Sequence, residues 1–270
     1  MNILCDEWDY YNDEENKHER IIKHILEKVN HDCLDLQNVL DHACLFEFVD
    51  VVTLLLEKTD HKKLDVKKAM NILFDEWDYY NTEGNSDRRD KHERMIKHIL
   101  EKVNHDFLDL QNILDHRNVL DHACHFEFVD VVTLLLEKTD HKKLDVKKAM
   151  NILFDKWDYY NTEGNSDRRD KHERMIKHIL EKVNHDFLDL QNVFYRVCRY
   201  CLLDAVTLFL EKTDHKKLDV KKAMNIIYDH DHDYNYDEED VEENSDRRDK
   251  HERMIKLILE KVNPTLLTCR

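Results

Sequence analysis

The sequence predicts an all-α protein, a solenoid of about seven stacked helix pairs in which short and long repeats alternate. One observation is internal repetition: Asn118 to Lys143 (NVLDHACHFEFVDVVTLLLEKTDHKK) recurs at Asn38 to Lys63 with Leu45 in place of His125, and in diverged form at Asn192 to Lys217. A longer unit between these copies starts at Leu64 and again at Leu144, matching throughout except where Glu76 becomes Lys156. A repeat that cannot bury its apolar face alone buries it against the next one. The second observation is the scarcity of breakers: two glycines, Gly84 and Gly164, and one proline in 270 residues. That argues for helices joined by polar turns and against a sheet. The third is apolar spacing at helical period, shown element by element below.

Met1 aligns with Met70, Met150 and Met224, so the chain opens partway into a longer unit and its first helix is expected to be short and uncapped. Asn16, Asp90, Asp170 and Asp249 each stand three residues before a Glu, the Asx form of a capping box. A helix is expected to begin at each. In the helix after Asp90, Met95, Ile96, Ile99, Leu100 and Val103 draw one apolar stripe opposite a charged face. Leu64 to Tyr80 is helical in pattern too, with Val66, Ala69, Met70, Leu73, Trp77 and Tyr80 on one side. The shorter unit divides into Asn118 to about Phe126 and Val129 to about Lys138, two short helices around a tight turn. Seven pairs result, at approximately 1–30, 38–60, 64–104, 118–140, 144–184, 192–213 and 217–263, within a single repeat domain spanning 1–270. Ile113 to Asn118 reads as a local duplication inserted before the hinge.

Charge narrows the function classes. A formal charge of −17 disfavours a phosphate backbone, because that affinity comes from Lys and Arg neutralising phosphates. Nucleic acid and anionic membrane are therefore not expected partners. No apolar run approaches the roughly 20 residues of a membrane span, and no signal-peptide core opens the chain, so a cytosolic or nuclear setting is expected. Seven cysteines without a compact spacing fit a reducing compartment. Cys44, Cys124 and Cys198 share one repeat position and read as small buried residues.

At Leu120-Asp121-His122-Ala123-Cys124, and then Asp130 to Glu137 (DVVTLLLE), the chain resembles the ankyrin repeat. Leu120 matches that family's Leu, Ala123 and Cys124 its small pair, and Glu127-Phe128 stand where Gly-His would be. Val66, Ala69, Met70 and Arg94 to Glu101 carry a weaker version in the longer unit. Glycine is absent from the inter-helix turn, Thr-Pro is missing, and the loop from Glu137 to Leu144 is too short for a full β-finger. The resemblance thus implies an ankyrin-like α-solenoid with abbreviated fingers and elongated alternate repeats. It also implies a non-catalytic scaffold that binds a protein partner along the concave helix-tip surface. Near-identical duplication in an Asn-, Asp- and Lys-rich chain is similar in style to the expanded ankyrin families of large DNA viruses and intracellular bacteria, which implies action inside a host cell.

Catalytic chemistry finds little support. His92-Glu93 followed by His98, repeated at His172-Glu173 and His178, is not a zinc-protease helix, because that needs imidazoles one turn apart. A solvated histidine at a helix start is the better reading. Cys198-Arg199-Tyr200-Cys201 is a lone CxxC with no second pair, so a structural role is favoured over zinc. His230, Asp231, His232 and Asp233 lie in a His- and Asp-rich segment, 229–243, that could gather a divalent cation; a diverged solvated loop is favoured, and metal binding is the alternative function. There is no phosphate loop and no nucleophile elbow. An enzyme is not expected, nor a cofactor.

In the ankyrin pattern, the two residues after the small pair lie at the helix tip, which makes Leu45, Phe46, His125, Phe126, Arg199 and Tyr200 the partner-binding candidates. Leu45 becomes His125 and then Arg199 among near-identical copies, as a surface position allows, while an aromatic persists beside it. The competing reading has Phe46 and Phe126 plugging the gap under a missing finger. Trp8, Trp77 and Trp157 form a second aromatic ladder, expected to stack between repeats. The mixed-charge stretch Asn85 to Asp90, with its copies at 165–170 and 244–249, reads as a solvated connection. A partner with a basic or mixed face and apolar anchors would suit the charge.

Overall fold

A computed structural model describes residues 15–60, 63–80, 86–103, 118–162, 166–233 and 241–262. Within those spans, the side chains of 15–16, 76–80, 86–88, 158–162, 166–167, 215, 229–233 and 241–248 are not described. The opening helix expected at Met1, Trp8, the Trp77 side chain and the insertion at 113–117 therefore lie outside the described residues.

All regular structure in the described residues is helical. The helices are α1 (Glu15–Lys28), α2 (Leu36–Leu45), α3 (Val49–Lys58), α4 (Val66–Tyr80), α5 (Ser86–Lys102), α6 (Val119–His125), α7 (Val129–Lys138), α8 (Val146–Thr162), α9 (Ser166–Lys182), α10 (Leu190–Arg199), α11 (Leu203–Lys212), α12 (Val220–Asp233) and α13 (Val241–Val262). Short and long hairpins alternate as the repeat predicts: α2 and α3 have 10 residues each, α4 and α5 have 15 and 17. Where a β-finger would stand, single 3-10 turns occur instead, such as His141–Lys143 and His185–Phe187.

The chain divides into two compact units, Met1–Leu144 and Asp145–Arg270. In the first, α2 packs on α3 and α4, α3 on α1 and α5, and α7 on α5 and α6. In the second, α9 packs on α8 and α11, α10 on α11 and α12, and α13 on α11 and α12. Within each unit most helices meet a hairpin partner, the helix two places along, or both, which is what stacked hairpins require. The apolar stripes face inward: Val51, Val52, Leu55 and Leu56 of α3 are buried, as are Val131, Val132, Leu134, Leu135 and Leu136 of α7. Each such side chain contributes about 1.5–3 kcal/mol on leaving water.

Two local expectations are overturned. The helices do not begin at Asn16, Asp90, Asp170 and Asp249 but earlier, at Glu15, Ser86, Ser166 and Val241. Nothing between Ser86 and Asp90 breaks a helix, so it runs on past the Asx signal, and the Asp90 carbonyl accepts from Arg94 Nε inside it at 3.2 Å. The mixed-charge stretch is accordingly helical from Ser86, and the half-buried Arg89 is engaged with a neighbouring hairpin. The histidine after three of these signals is also buried, with His92 and His172 0% exposed and His251 4%, while His18 is half-buried. Elongating the helix turns that position from a solvated start into an inward-facing mid-helix site.

Candidate functional site

The short hairpins share one hinge. α2 is capped by Phe46, α6 by Phe126 and α10 by Tyr200, and the next residue takes a left-handed backbone: Glu47 (φ 55°), Glu127 (φ 61°) and Cys201 (φ 53°). The amide of Phe48 donates to Ala43 O at 2.8 Å and that of Glu47 to Cys44 O at 3.3 Å. The same pair recurs at Phe128 to Ala123 (2.8 Å) with Glu127 to Cys124 (3.4 Å), and at Leu202 to Val197 (3.0 Å) with Cys201 to Cys198 (3.1 Å). This is the Schellman ending, which normally uses glycine because a Cβ in the left-handed region costs about 1 kcal/mol. The left-handed residue stands at the position that Gly occupies in the ankyrin pattern.

Side chains from a long helix support the two glutamate hinges. Buried Glu47 Oε1 lies 3.0 Å from His92 Nδ1 of α5. Buried Glu127 Oε2 accepts from Arg89 Nη2 of the same helix at 2.7 Å, and that nitrogen also donates to Phe126 O at 2.6 Å. One helix therefore holds the hinge on either side of it. Arg89 and His92 were invisible as partners of the hinges because the residues they meet lie 37 to 45 positions away.

Around these hinges the six tip candidates are placed differently. Leu45, Phe46 and His125 are half-buried, Arg199 is exposed and Tyr200 is half-buried. Phe46 stacks on Phe48 at 5.8 Å between centroids. Phe126 is 7% exposed, with His122 at 4.4 Å and Phe128 at 6.0 Å. His122 is itself buried against Phe74 of α4 at 4.1 Å, so Phe126 belongs to an aromatic cluster joining α4 to α6. Tyr200 lies against Phe154 (6.1 Å) and Trp157 (5.8 Å) of α8, which stacks Trp157 between repeats as the ladder predicts. At the second and third tips the variable residue is more exposed than the aromatic beside it, whereas Leu45 and Phe46 are alike half-buried.

A second repeated arrangement joins the outer helices, and it too escaped the sequence reading. Glu19 Oε1 of α1 accepts from the Asp50 amide in the first turn of α3, and Glu93 Oε1 of α5 from the Asp130 amide of α7, both at 2.9 Å. Phe48 and Phe128 occupy the cap positions and make no side-chain cap bond, so the neighbouring helix supplies the acceptor. One turn on, Lys23 reaches Asp50 at 2.6 Å, Lys97 reaches Asp130 at 2.7 Å and Lys177 reaches Asp204 at 2.8 Å. Burial holds the Glu93 carboxyl above the usual range against the opposing pull of the Asp130 amide, and burial likewise raises Glu173. The recurring Glu-x-x-x-Lys on one helix and the Asp opening the next were the legible signal.

The remaining candidates show no assembled reactive group. Cys44, Cys124 and Cys198 are buried and their thiols are pushed well up by desolvation, which suits packing and not nucleophilic use. His230, Asp231, His232 and Asp233 fall in the last turn of α12, a correction to the loop expected there; the sequence from Val220 onward holds no breaker, so the helix continues. Their side chains lie outside the described ones, as does the segment 234–240. Among the described residues, no three His, Cys, Asp or Glu are grouped to hold a metal ion. No helix of the described residues is long and apolar enough to cross a membrane.

Compared with known proteins, the chain matches no family model, no curated protein and no solved structure.

Proposed function

We propose that this is a non-catalytic, ankyrin-like scaffold that binds another protein through the helix tips of its short hairpins. One observation carries the reading: the hinge backbone is the same in all three copies, while the residue ending the helix before it, half-buried or exposed, changes from Leu45 to His125 to Arg199. A constant frame presenting a variable side chain is how repeat scaffolds build recognition. Phe46 and Tyr200 are half-buried beside these positions and supply apolar contact area, whereas Phe126 supports the frame from inside. The net charge of −17 favours a partner with a basic or mixed face, in the cytosol or nucleus, or inside a host cell.

The test is affinity capture from cell extract with the parent and with a variant carrying Leu45→Glu, His125→Glu and Arg199→Glu. These substitutions leave the buried aromatics in place, and circular dichroism checks that helicity is unchanged. Partners retained by the parent and lost by the variant are expected. Equal retention by both would remove the tip surface from consideration.

A further inference from the structure

The third short-hairpin hinge carries two thiols across one turn. Each hinge places a buried cysteine in the last turn of its first helix, Cys44, Cys124 or Cys198, and a left-handed residue three positions on, Glu47, Glu127 or Cys201. In the first two hinges the left-handed residue is a glutamate that meets His92 or Arg89 of α5. In the third it is a second cysteine, and both are thiols in the structure. The Cys201 amide donates to Cys198 O at 3.1 Å, which makes the pair the two ends of a reverse turn, where end Cα atoms lie under about 7 Å apart. A disulfide bridges Cα atoms about 4.4–6.8 Å apart, so the hinge backbone holds these two at the span the bond requires. Burial divides them: Cys198 is 0% exposed, whereas Cys201 is half-buried. Desolvation raises the Cys198 thiol, and the neighbouring Cys201 adds to the rise.

We infer that Cys198 and Cys201 are a redox modification site, forming a reversible disulfide by exchange with a small disulfide such as oxidised glutathione. Burial assigns the roles. The Cys201 thiolate attacks one sulfur of the small disulfide RSSR, which forms a mixed disulfide Cys201–S–S–R and releases RS⁻. Cys198 then gives its proton to water, and its sulfur attacks Cys201 Sγ and expels the second RS⁻. Each RS⁻ takes up a proton, so two protein thiols and RSSR become one protein disulfide and two RSH. Packing keeps Cys198 from reacting with solutes, yet it permits the second step, because a neighbour fixed within one turn supplies by proximity what a small thiolate fraction lacks. The bond would close over the turn that presents Arg199 and Tyr200, giving this hinge a covalent brace where the other two have a glutamate held by a long helix. The site lies within the second unit and does not rest on partner binding at the tips.

The full chain is equilibrated in buffers of graded reduced and oxidised glutathione, quenched in acid, denatured, alkylated and digested with trypsin without reduction. Trypsin cleaves after Arg196, Arg199 and Lys212, so the disulfide shows as Val197–Arg199 linked to Tyr200–Lys212, and the reduced hinge as two alkylated peptides. The linked pair is expected in the native chain, with a midpoint in [GSH]²/[GSSG] at least tenfold higher than for the chain unfolded in urea. Cys198→Ala should stop at the mixed disulfide of Cys201 with glutathione, whereas Cys201→Ser should leave Cys198 without glutathione attached. Circular dichroism checks both variants, and the parent's titration decides the matter if either fails to fold. Absence of the linked pair from the native chain would overturn the proposal. Equal midpoints for the folded and unfolded chains would overturn it too, as would glutathione on Cys198 in the Cys201→Ser variant.

Discussion

The hinge between α6 and α7 and the hinge between α10 and α11 have the same backbone and differ in the side chain at the left-handed position. In the first, the left-handed residue is Glu127, whose buried carboxylate is held by Arg89 of α5. In the second it is Cys201, which has no carboxylate. There α8 contributes rings, Tyr200 lying against Trp157 and Phe154, as α4 does beside Phe126 through Phe74 and His122, and it adds a peripheral ion pair from Arg196 to Asp155 at 2.7 Å. The same exchange occurs next door, where Lys68 meets the Asp41 carboxylate at 2.5 Å but Lys222 sits over the Tyr195 ring at 4.7 Å. The lesson is that the Schellman bonds fix the turn, while neighbouring helices choose how its strain is offset, by buried charge or by aromatic packing.

That comparison can be broken most forcefully at Arg89. Arg89→Ala should lower unfolding free energy by about 3–5 kcal/mol, because it strands the buried Glu127 carboxylate and the Phe126 carbonyl. Arg169→Ala, the equivalent change beside a hinge with no carboxylate, should cost below about 1 kcal/mol, and urea melts of the two variants give the ratio. The acceptor supplied across helices is worth less. Glu93→Ala removes it from the Asp130 amide and should cost about 1 kcal/mol, whereas Glu93→Gln keeps an acceptor and sheds the desolvated charge, so its midpoint should stay close to the parent's.

Acidity distinguishes another pair of sites. His185 donates from Nε2 to Leu180 O at 3.0 Å and lies 2.8 Å from the Thr213 hydroxyl, and burial depresses its pKa below 6.5, as it does for His98. Both favour the neutral form when folded. Their contribution is fully present above pH 6.5 and is lost as pH falls through the depressed folded values. Thermal melts at pH 7.5 and 5.5 should show a drop, and His185→Gln, which still donates to Leu180, should shrink it. The smallest effect belongs to the outer ion pairs: Lys97→Ala should cost no more than about 0.5 kcal/mol, given solvent screening of a pair whose Asp130 side chain is 62% exposed, and less in high salt.

How much of this the sequence revealed depended on range. Hairpin boundaries such as Val129–Lys138 followed from period and repetition, and Asn118 caps α6 by accepting from the Asp121 amide at 2.7 Å. These are interactions within a few residues. Glu47 with His92 and Glu127 with Arg89 were not legible, because a charged residue in a turn normally means solvent, and only packing brings a helix from some 40 residues away beside it. The long helices were misjudged at their starts for the converse reason: a good local cap signal at Asp90 was outweighed by continuous helix formers before it. Of the candidate residues, the exposure of Arg199 agrees with the variation among copies, Leu45 and His125 are only half-buried, and the covering of Phe126 was not legible.

The central claim, that neighbours and not glycine stabilise a fixed left-handed hinge, is tested most directly by placing glycine at two of these positions and measuring unfolding free energy in urea. Cys201→Gly should raise stability by up to about 1 kcal/mol, since it relieves the Cβ clash and removes no hydrogen-bonded carboxylate. Glu47→Gly should lower it by about 1 kcal/mol, because the buried His92 loses the carboxylate against it and that loss exceeds the relief. Changes of the same sign at both positions would contradict the account.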